Sequence, residues 1–281
     1  MVKALIIQGG GTRASFLAGV IDELLKMGIT FDEVYGTSAG ALLGLNFVSN
    51  QIGRNRYLEV DMMNDPNFFS RKNLMKTGNA FDFDYLFNEG ARGKFPFDFE
   101  TFYKSPTKMY AVATSLKTGK PVYIEKSDPN FFDGVKASAS LPLIMRPTAY
   151  QDDLLLDGGV VMPIPFEESF KRRVDKLVVL CTRPRGYRKK KRSSEEIIMK
   201  KFYKNYPVFL EAYLNNVPNY NDQMAFLDKL HDFGGAFVFY PSKPLKIGRQ
   251  ETNPEKLNQL IETGIQDFKK IKEDLQRYLD K

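Results

Sequence analysis

Twice near its N-terminus the chain ends a short apolar run on glycine and passes into helical periodicity. Residues 4–7 (Ala-Leu-Ile-Ile) stop at Gly9-Gly10-Gly11, after which Phe16, Leu17, Val20, Ile21, Leu24 and Leu25 recur at the spacing of one helix face. Residues 31–35 then run into Gly36-Thr37-Ser38-Ala39-Gly40, and residues 41–48 continue as a largely apolar, buried helix. A strand, a glycine turn and a helix, used twice, confine the chain to an α/β architecture. With 281 residues, 43% of them hydrophobic, there is apolar surface enough for one large core.

Further along, strands are expected at 108–115 and 121–125, joined as a hairpin through 116–120, and a helix over 131–140 that ends before Pro142. A strand at 154–157 breaks at Gly158-Gly159. Two more strands are expected at 176–181 and 236–240, with helices at 193–203 and 207–215. Asn253 caps and Pro254 opens a final helix, in which Leu257, Leu260, Ile261, Ile265, Phe268, Ile271, Leu275 and Leu279 trace one amphipathic face. Between 61 and 104 the periodicity loosens and nine of the 23 phenylalanines gather. They read either as anchors of a long excursion or as the wall of an apolar acyl-chain site.

Several chemistries are excluded by composition. The single cysteine, Cys181, lies in an apolar run and has no partner for an internal disulfide; with the single histidine, His231, it is too little for a zinc site of nitrogen and sulfur ligands. Catalysis must then use hydroxyls, carboxylates and backbone. The N-terminus lacks the form of a secretory signal, and no apolar stretch approaches the roughly 20 residues of a membrane-spanning helix. These features predict a cytoplasmic protein, at most peripheral at the inner membrane face. The net charge of +7 is concentrated in Arg183, Arg185, Arg188, Lys189, Lys190, Lys191 and Arg192. That run reads as a solvated loop or as a patch for an anionic membrane surface. No aromatic platform accompanies it, so nucleic acid is not expected.

The pentapeptide Gly36-Thr37-Ser38-Ala39-Gly40 falls where a strand meets a helix, and a serine there is projected by a sharp turn that its flanking glycines leave room for. The spacing Gly9-x-Gly11-x-x-Ala14 also fits a dinucleotide fingerprint, but the second strand closes on Gly36 rather than on an acidic residue that would hold a ribose. The same glycines read better as bare amides beside the serine, able to bind an oxyanion. For a base, the order Ser38, Asp157, His231 matches that of α/β-hydrolases. Those enzymes place several strands before the nucleophile, however, and only two fit before Ser38. Asp157, ending a buried strand, is the better candidate.

These residues together give the chain its resemblance to the patatin-like phospholipases, which combine a glycine-rich loop near the N-terminus, Gly-x-Ser-x-Gly and Asp-Gly-Gly or Asp-Gly-Ala. The motifs occur here in order over residues 4–172, and Lys136-Ala137-Ser138-Ala139-Ser140-Leu141-Pro142 resembles the family's segment ahead of the aspartate. The resemblance implies a three-layer α/β/α sandwich with a mainly parallel sheet and a long C-terminal helix. It divides the chain into a patatin-like domain (4–172) and an extension (173–281) packed on the same core. It implies a serine esterase or lipid acyl hydrolase that uses no cofactor or metal and acts on a lipid or other acyl ester. Ser38 is then the nucleophile, Asp157 the base, and Gly9, Gly10, Gly11 and Arg13 the oxyanion loop. Gly36, Gly40, Gly158 and Gly159 complete the motifs. Ala14 departs from the family, which usually has a further glycine there. An acyltransferase, a thioesterase or a silent lipid-binding protein on the same fold is the alternative.

Overall fold

A computed structural model of the chain describes residues 1–191 and 193–281. Among the described residues eight strands form one sheet: β1 (Lys3–Ile7), β2 (Glu33–Thr37), β3 (Lys108–Ser115), β4 (Pro121–Glu125), β5 (Thr148–Tyr150), β6 (Asp153–Asp157), β7 (Lys176–Leu180) and β8 (Phe237–Phe239). The run β3-β2-β1-β7-β8 is parallel, β4 and β6 run antiparallel to β3, and β5 pairs antiparallel with β6. The helices used below are α1 (Ser15–Lys26), α2 (Ala39–Val48), α3 (Phe131–Ser138), α4 (Ser193–Phe202), α5 (Pro207–Leu214), α6 (Asn216–Asp232), α7 (Pro254–Lys269) and α8 (Lys272–Asp280).

Alternation along the strands sorts the core into two layers, because successive side chains leave a strand on opposite faces. Leu5 and Ile7 of β1 pack with Phe16 and Val20 of α1, Leu43 of α2 and Leu257 of α7. Ala4 and Ile6 pack on the other face with Tyr220, Met224 and Leu227 of α6. Parallel strands buried on both faces explain the continuous apolar runs. The result is a three-layer α/β/α sandwich, to which the C-terminal region contributes two strands and helices on both faces.

The register places β2 and β6 on the same edge of β3. Val112 pairs with Thr37 of β2 and Tyr123 of β4, and Ala113 pairs with Asp157 of β6 and Val122 of β4. A strand has two edges, and β4 occupies one for its whole contact. The other edge is therefore shared end to end: β2 closes opposite Val112 and β6, running the opposite way, closes opposite Ala113.

The terminal periodicity is realised as two segments, since i to i−3 closures at Lys270 and Ile271 end α7 before α8 begins. Leu257, Leu260, Ile261, Phe268, Leu275 and Leu279 are all buried, so the apolar face continues across the break. Helix α6 has no clean apolar period to give its extent: it buries Gln223 beside Tyr220, Met224 and Leu227 and exposes Phe226, and Pro218 interrupts the pattern in the first turn, where proline is tolerated. Strand β5 is too short to have a period of its own.

Helices α1 and α7 meet at their glycines. A Cβ on Gly264 would fall 1.9 Å from the Phe16 carbonyl oxygen, and one on Gly19 would fall 2.5 Å from Ile265 Cγ1. A methyl at Gly264 has to displace backbone. Gly264→Ala should therefore cost about 3 kcal/mol or more, whereas Gln266→Ala, on the exposed side of the same turn, should stay within about 0.5 kcal/mol in denaturant unfolding. Equal stabilities of the two variants would contradict the packing described.

Candidate active site

Ser38 lies between β2 and α2 with φ +56° and ψ −128°, a conformation a non-glycine residue rarely holds. The turn closes only because its flanks lack side chains: a Cβ on Gly36 would come within 2.5 Å of the Gly40 carbonyl oxygen, and one on Gly40 within 2.3 Å of the Ile7 carbonyl oxygen. The Ser38 N–H donates to Ser138 Oγ (2.9 Å), and that hydroxyl donates to the Val112 carbonyl (2.6 Å). Ser138 thereby holds the strained residue to β3 from helix α3. Helix α2 directs its positive end at Ser38.

Asp157, at the end of β6, meets Ser38 across the shared edge of β3. Ser38 Oγ donates to Asp157 Oδ2 at 2.6 Å, and the Gly159 N–H donates to Oδ1 at 2.6 Å. The aspartate backbone is fixed as well, its N–H on the Ser140 carbonyl and its carbonyl on Thr114 Oγ1. Gly158 lets the chain pass the Val112 carbonyl, which lies 2.0 Å from where a Cβ would stand. Both side chains are buried. Burial pushes the Asp157 carboxyl up to about 6, against the hydrogen bonds from Ser38 and Gly159 and the charges of Arg249 and Lys189.

The glycine loop does not present its amides uniformly. The Gly9 N–H donates to the Pro163 carbonyl at 3.1 Å and is spent on the fold. Among the described residues the Gly10 and Gly11 N–H groups have no acceptor, and both glycines border the cavity beside Ser38. The Arg13 guanidinium borders it too, buried, with its Nε unpartnered among the described residues. Burial first, then Arg183 and Arg249, lower its pKa to about 10. Gln8 fixes the start of the loop, its amide donating to Tyr220 Oη and accepting the Thr182 N–H.

His231 is elsewhere: its Nδ1 accepts the Val238 N–H at the end of α6. Cys181 is fully buried. Among the described residues no group of three or more His, Cys, Asp or Glu is placed to hold a metal, and no helix is long and apolar enough to cross a membrane.

Two chambers meet at Ser38. One, of about 300 Å³, is walled by the glycine loop, Arg13, Arg183, Tyr187, Lys189 and residues of α4, α5 and α6. The other is narrow and apolar, with Phe68, Phe81, Phe83, Leu42 and Met63 among its walls. Gly11, Ser38, Leu141 and Arg249 border both. The phenylalanines thus divide: these three form a wall, while Phe97 and Phe102 are buried against Phe132. The basic run divides too. Arg183 and Lys189 face the cavity, Arg185 and Arg188 pair with Asp232 and Asp228, and Lys190 and Lys191 are exposed. Arg192 lies outside the described residues.

Ser138 and Arg249 belong to no candidate set drawn from the sequence. Ser138 falls within the alanine/serine-rich segment, which is its only signal; Arg249 has none, because it stands in a loop far from every motif. Glu59 is equally silent. It sits on a π-helical turn, Tyr57–Asp61, borders the apolar chamber and accepts a hydrogen bond from Ser15 Oγ at 2.6 Å.

A serine held in the left-handed region where a strand of a mainly parallel sheet turns into a helix is the arrangement found in hydrolases that act through serine. Residues 5–170 match the family model described as patatin-like phospholipase, and the chain belongs to that family of lipase-type hydrolases. Residues 206–280 match a second family, described as a domain of unknown function (DUF6363). The chain is 28% identical over 256 residues to the uncharacterized protein YjjU of Escherichia coli, covering 86% of this chain and 69% of that one. It is 28% identical over 178 residues to the lysophospholipase NTE1 of Scheffersomyces stipitis, covering 60% of this chain and 11% of the yeast protein. The solved structure of VipD from Legionella pneumophila is similar over 96% of this chain and 66% of its own, with a TM-score of 0.46 and 11% identity.

Burial pushes the Glu59 carboxyl up to about 7, against the Ser15 hydrogen bond. An acid raised on folding stabilises the fold fully below its unfolded pKa and loses that contribution as pH rises through the folded value, here between about pH 4.5 and 7. Glu59→Gln cannot ionise. Relative to wild type it should gain up to about 3 kcal/mol at pH 8 and little at pH 5 in denaturant unfolding. A stability difference independent of pH would refute the assignment.

Proposed function

We propose that the protein is a serine esterase of the lipid acyl hydrolase type working through a Ser38/Asp157 dyad. The observation that carries this reading is the 2.6 Å hydrogen bond from Ser38 Oγ to Asp157 Oδ2, made where a cavity bordered by arginines meets an apolar chamber. The acyl chain enters the phenylalanine-lined chamber and the alcohol part of the ester occupies the larger cavity. Ser38 Oγ attacks the carbonyl carbon while Asp157 takes the hydroxyl proton. The negative charge on the carbonyl oxygen is held by the Gly10 and Gly11 amides, with the positive end of α2 and the Arg13 charge nearby.

Collapse breaks the ester C–O bond, and Asp157 returns the proton to the departing alcohol. Water then attacks the acyl-enzyme with Asp157 again as base, releasing the acid and restoring Ser38. A carboxylate with an ordinary pKa is a weak base at neutral pH, and the burial that raises Asp157 improves the match. His231, bonded to β8, has no part in the scheme.

Ser38→Ala and Asp157→Asn should each lower hydrolysis of a p-nitrophenyl acyl ester by roughly a thousandfold or more. His231→Gln should leave the rate near that of the unmodified protein, and loss of activity in that variant would sink the dyad. A fluorophosphonate should label Ser38 in the folded protein.

The base must be ionised to accept a proton, so kcat/KM should level off above about pH 6 and fall with decreasing pH below it. A profile flat from pH 5 to pH 8 (about one unit or more to either side of the midpoint) would remove Asp157 as the base.

A further inference from the structure

The cavity beside Ser38 is lined by Arg13, Arg183, Lys189 and Arg249 against the carboxylates Asp157 and Glu195, an excess of positive charge that the hydrolysis of a neutral ester does not require. Of these cations Arg13 is buried, Arg183 is half-buried, and Arg249 is exposed and borders both chambers. Among the described residues none of these three arginines has a carboxylate within ion-pairing distance. Their neighbours in the basic run do, as Arg185 and Arg188 pair with Asp232 and Asp228.

The three are close enough that Arg183 and Arg249 both lower the Arg13 pKa. Among the described residues Arg13 Nε is buried without an acceptor, a costly state for a charged donor unless an anion completes it. Arg183 is steered inward by the Tyr187 ring, 4.5 Å from its guanidinium carbon. Arg249 is held in place through its backbone: its carbonyl accepts the Thr12 N–H, while Thr12 Oγ1 donates to the Gly248 carbonyl and accepts the Glu251 N–H. The glycine loop and the loop bearing Arg249 are thus one clamped unit.

We infer that this cluster is a subsite for a phosphate group on the alcohol part of the substrate, and that the preferred substrate is an acyl ester bearing a phosphate monoester. Guanidinium groups suit phosphate oxygens in charge and fork geometry, and a phosphate monoester carries about −1.5 to −2 at pH 7. The apolar chamber, which shares Ser38 with this cavity, takes the acyl chain, so the scissile carbonyl sits where the two meet and the phosphate beside the arginines. Arg249 comes from the region that matches a domain of unknown function, which gives that region a task at the site: it supplies headgroup selectivity. The inference rests on the proposed reading of Ser38 as the nucleophile.

The test compares kcat/KM for 1-oleoyl-glycerol 3-phosphate, 1-oleoyl-glycerophosphocholine and monooleoylglycerol in uncharged detergent micelles, which keep the exposed lysines away from a charged surface. The phosphate monoester should be preferred over monooleoylglycerol by about tenfold or more, and Arg183→Gln and Arg249→Gln should each reduce that ratio by about tenfold, with Arg249→Lys restoring part of it. A wild-type ratio near one, or variants that slow both substrates equally, would overturn the inference while leaving the serine hydrolase intact. Preference seen only on anionic vesicles would assign the selectivity to the outer surface and overturn it as well. If free glycerol 3-phosphate or inorganic phosphate inhibits as tightly as the lipid binds, the cluster is a free-phosphate site and the headgroup assignment fails. Should no ester be cleaved at all, the Ser38 reading fails, and calorimetry with 1-O-alkyl-glycerol 3-phosphate against the matched alkyl glycerol decides the subsite: equal affinities would end it.

Discussion

The single edge of β3 that β2 and β6 share is the constraint on which the site depends. Because β2 runs with β3 and β6 runs against it, their C-terminal ends face each other between Val112 and Ala113. The residue after Thr37 and the last residue of β6 are then neighbours, although 119 positions separate them in sequence. A carboxylate in that position is shielded from water by the sheet. Desolvation, the largest influence on Asp157, follows from topology, and the hydrogen bonds of Ser38 and Gly159 only moderate it.

Around that edge the backbone strain is distributed over several small contacts. Ser38 holds a conformation that costs on the order of 1–3 kcal/mol, and the Ser138 hydroxyl, its bond to Val112 and the missing side chains of Gly36 and Gly40 keep it there. The C-terminal region belongs to the same system. Gln8 reaches Tyr220 of α6, Thr12 grips the loop at Gly248 and Arg249, and Gly264 of α7 seats α1 directly behind the glycine loop. Without these parts the cavity would lack the wall made by α4, α5 and α6 and the loop would lose these polar contacts.

Much of the fold is legible in the chain because its parallel strands are buried on both faces and its turns are made of glycine. The runs at 4–7 and 108–115 can be read directly, and so can the turn at Ser38, since only glycine fits beside it. The extents of helix α6 and strand β5 escape that reading: α6 buries Gln223 along with Tyr220, Met224 and Leu227 in a largely polar sequence, and β5 has three residues. The break between α7 and α8 is hidden because the apolar face continues through it. Gly9 resembles its neighbours in sequence, yet its amide is spent on Pro163, and only the path of the chain decides that.

Local sequence by itself determined the elements whose chemistry is local: the glycine loop, the strand-serine-helix turn and the aspartate at a strand end, each specified by steric exclusion or apolar periodicity within a few residues. Tertiary structure alone decided which of these meet and what surrounds them. The union of Ser38 with Asp157 needs the shared edge of β3. The division of the phenylalanines, with Phe68, Phe81 and Phe83 in a wall and Phe97 and Phe102 in the core, needs the cavity, and the gathering of Arg13, Arg183 and Arg249 needs three segments folded onto one another. Charges act through space, so a cluster drawn from positions 13, 183 and 249 leaves no pattern along the chain.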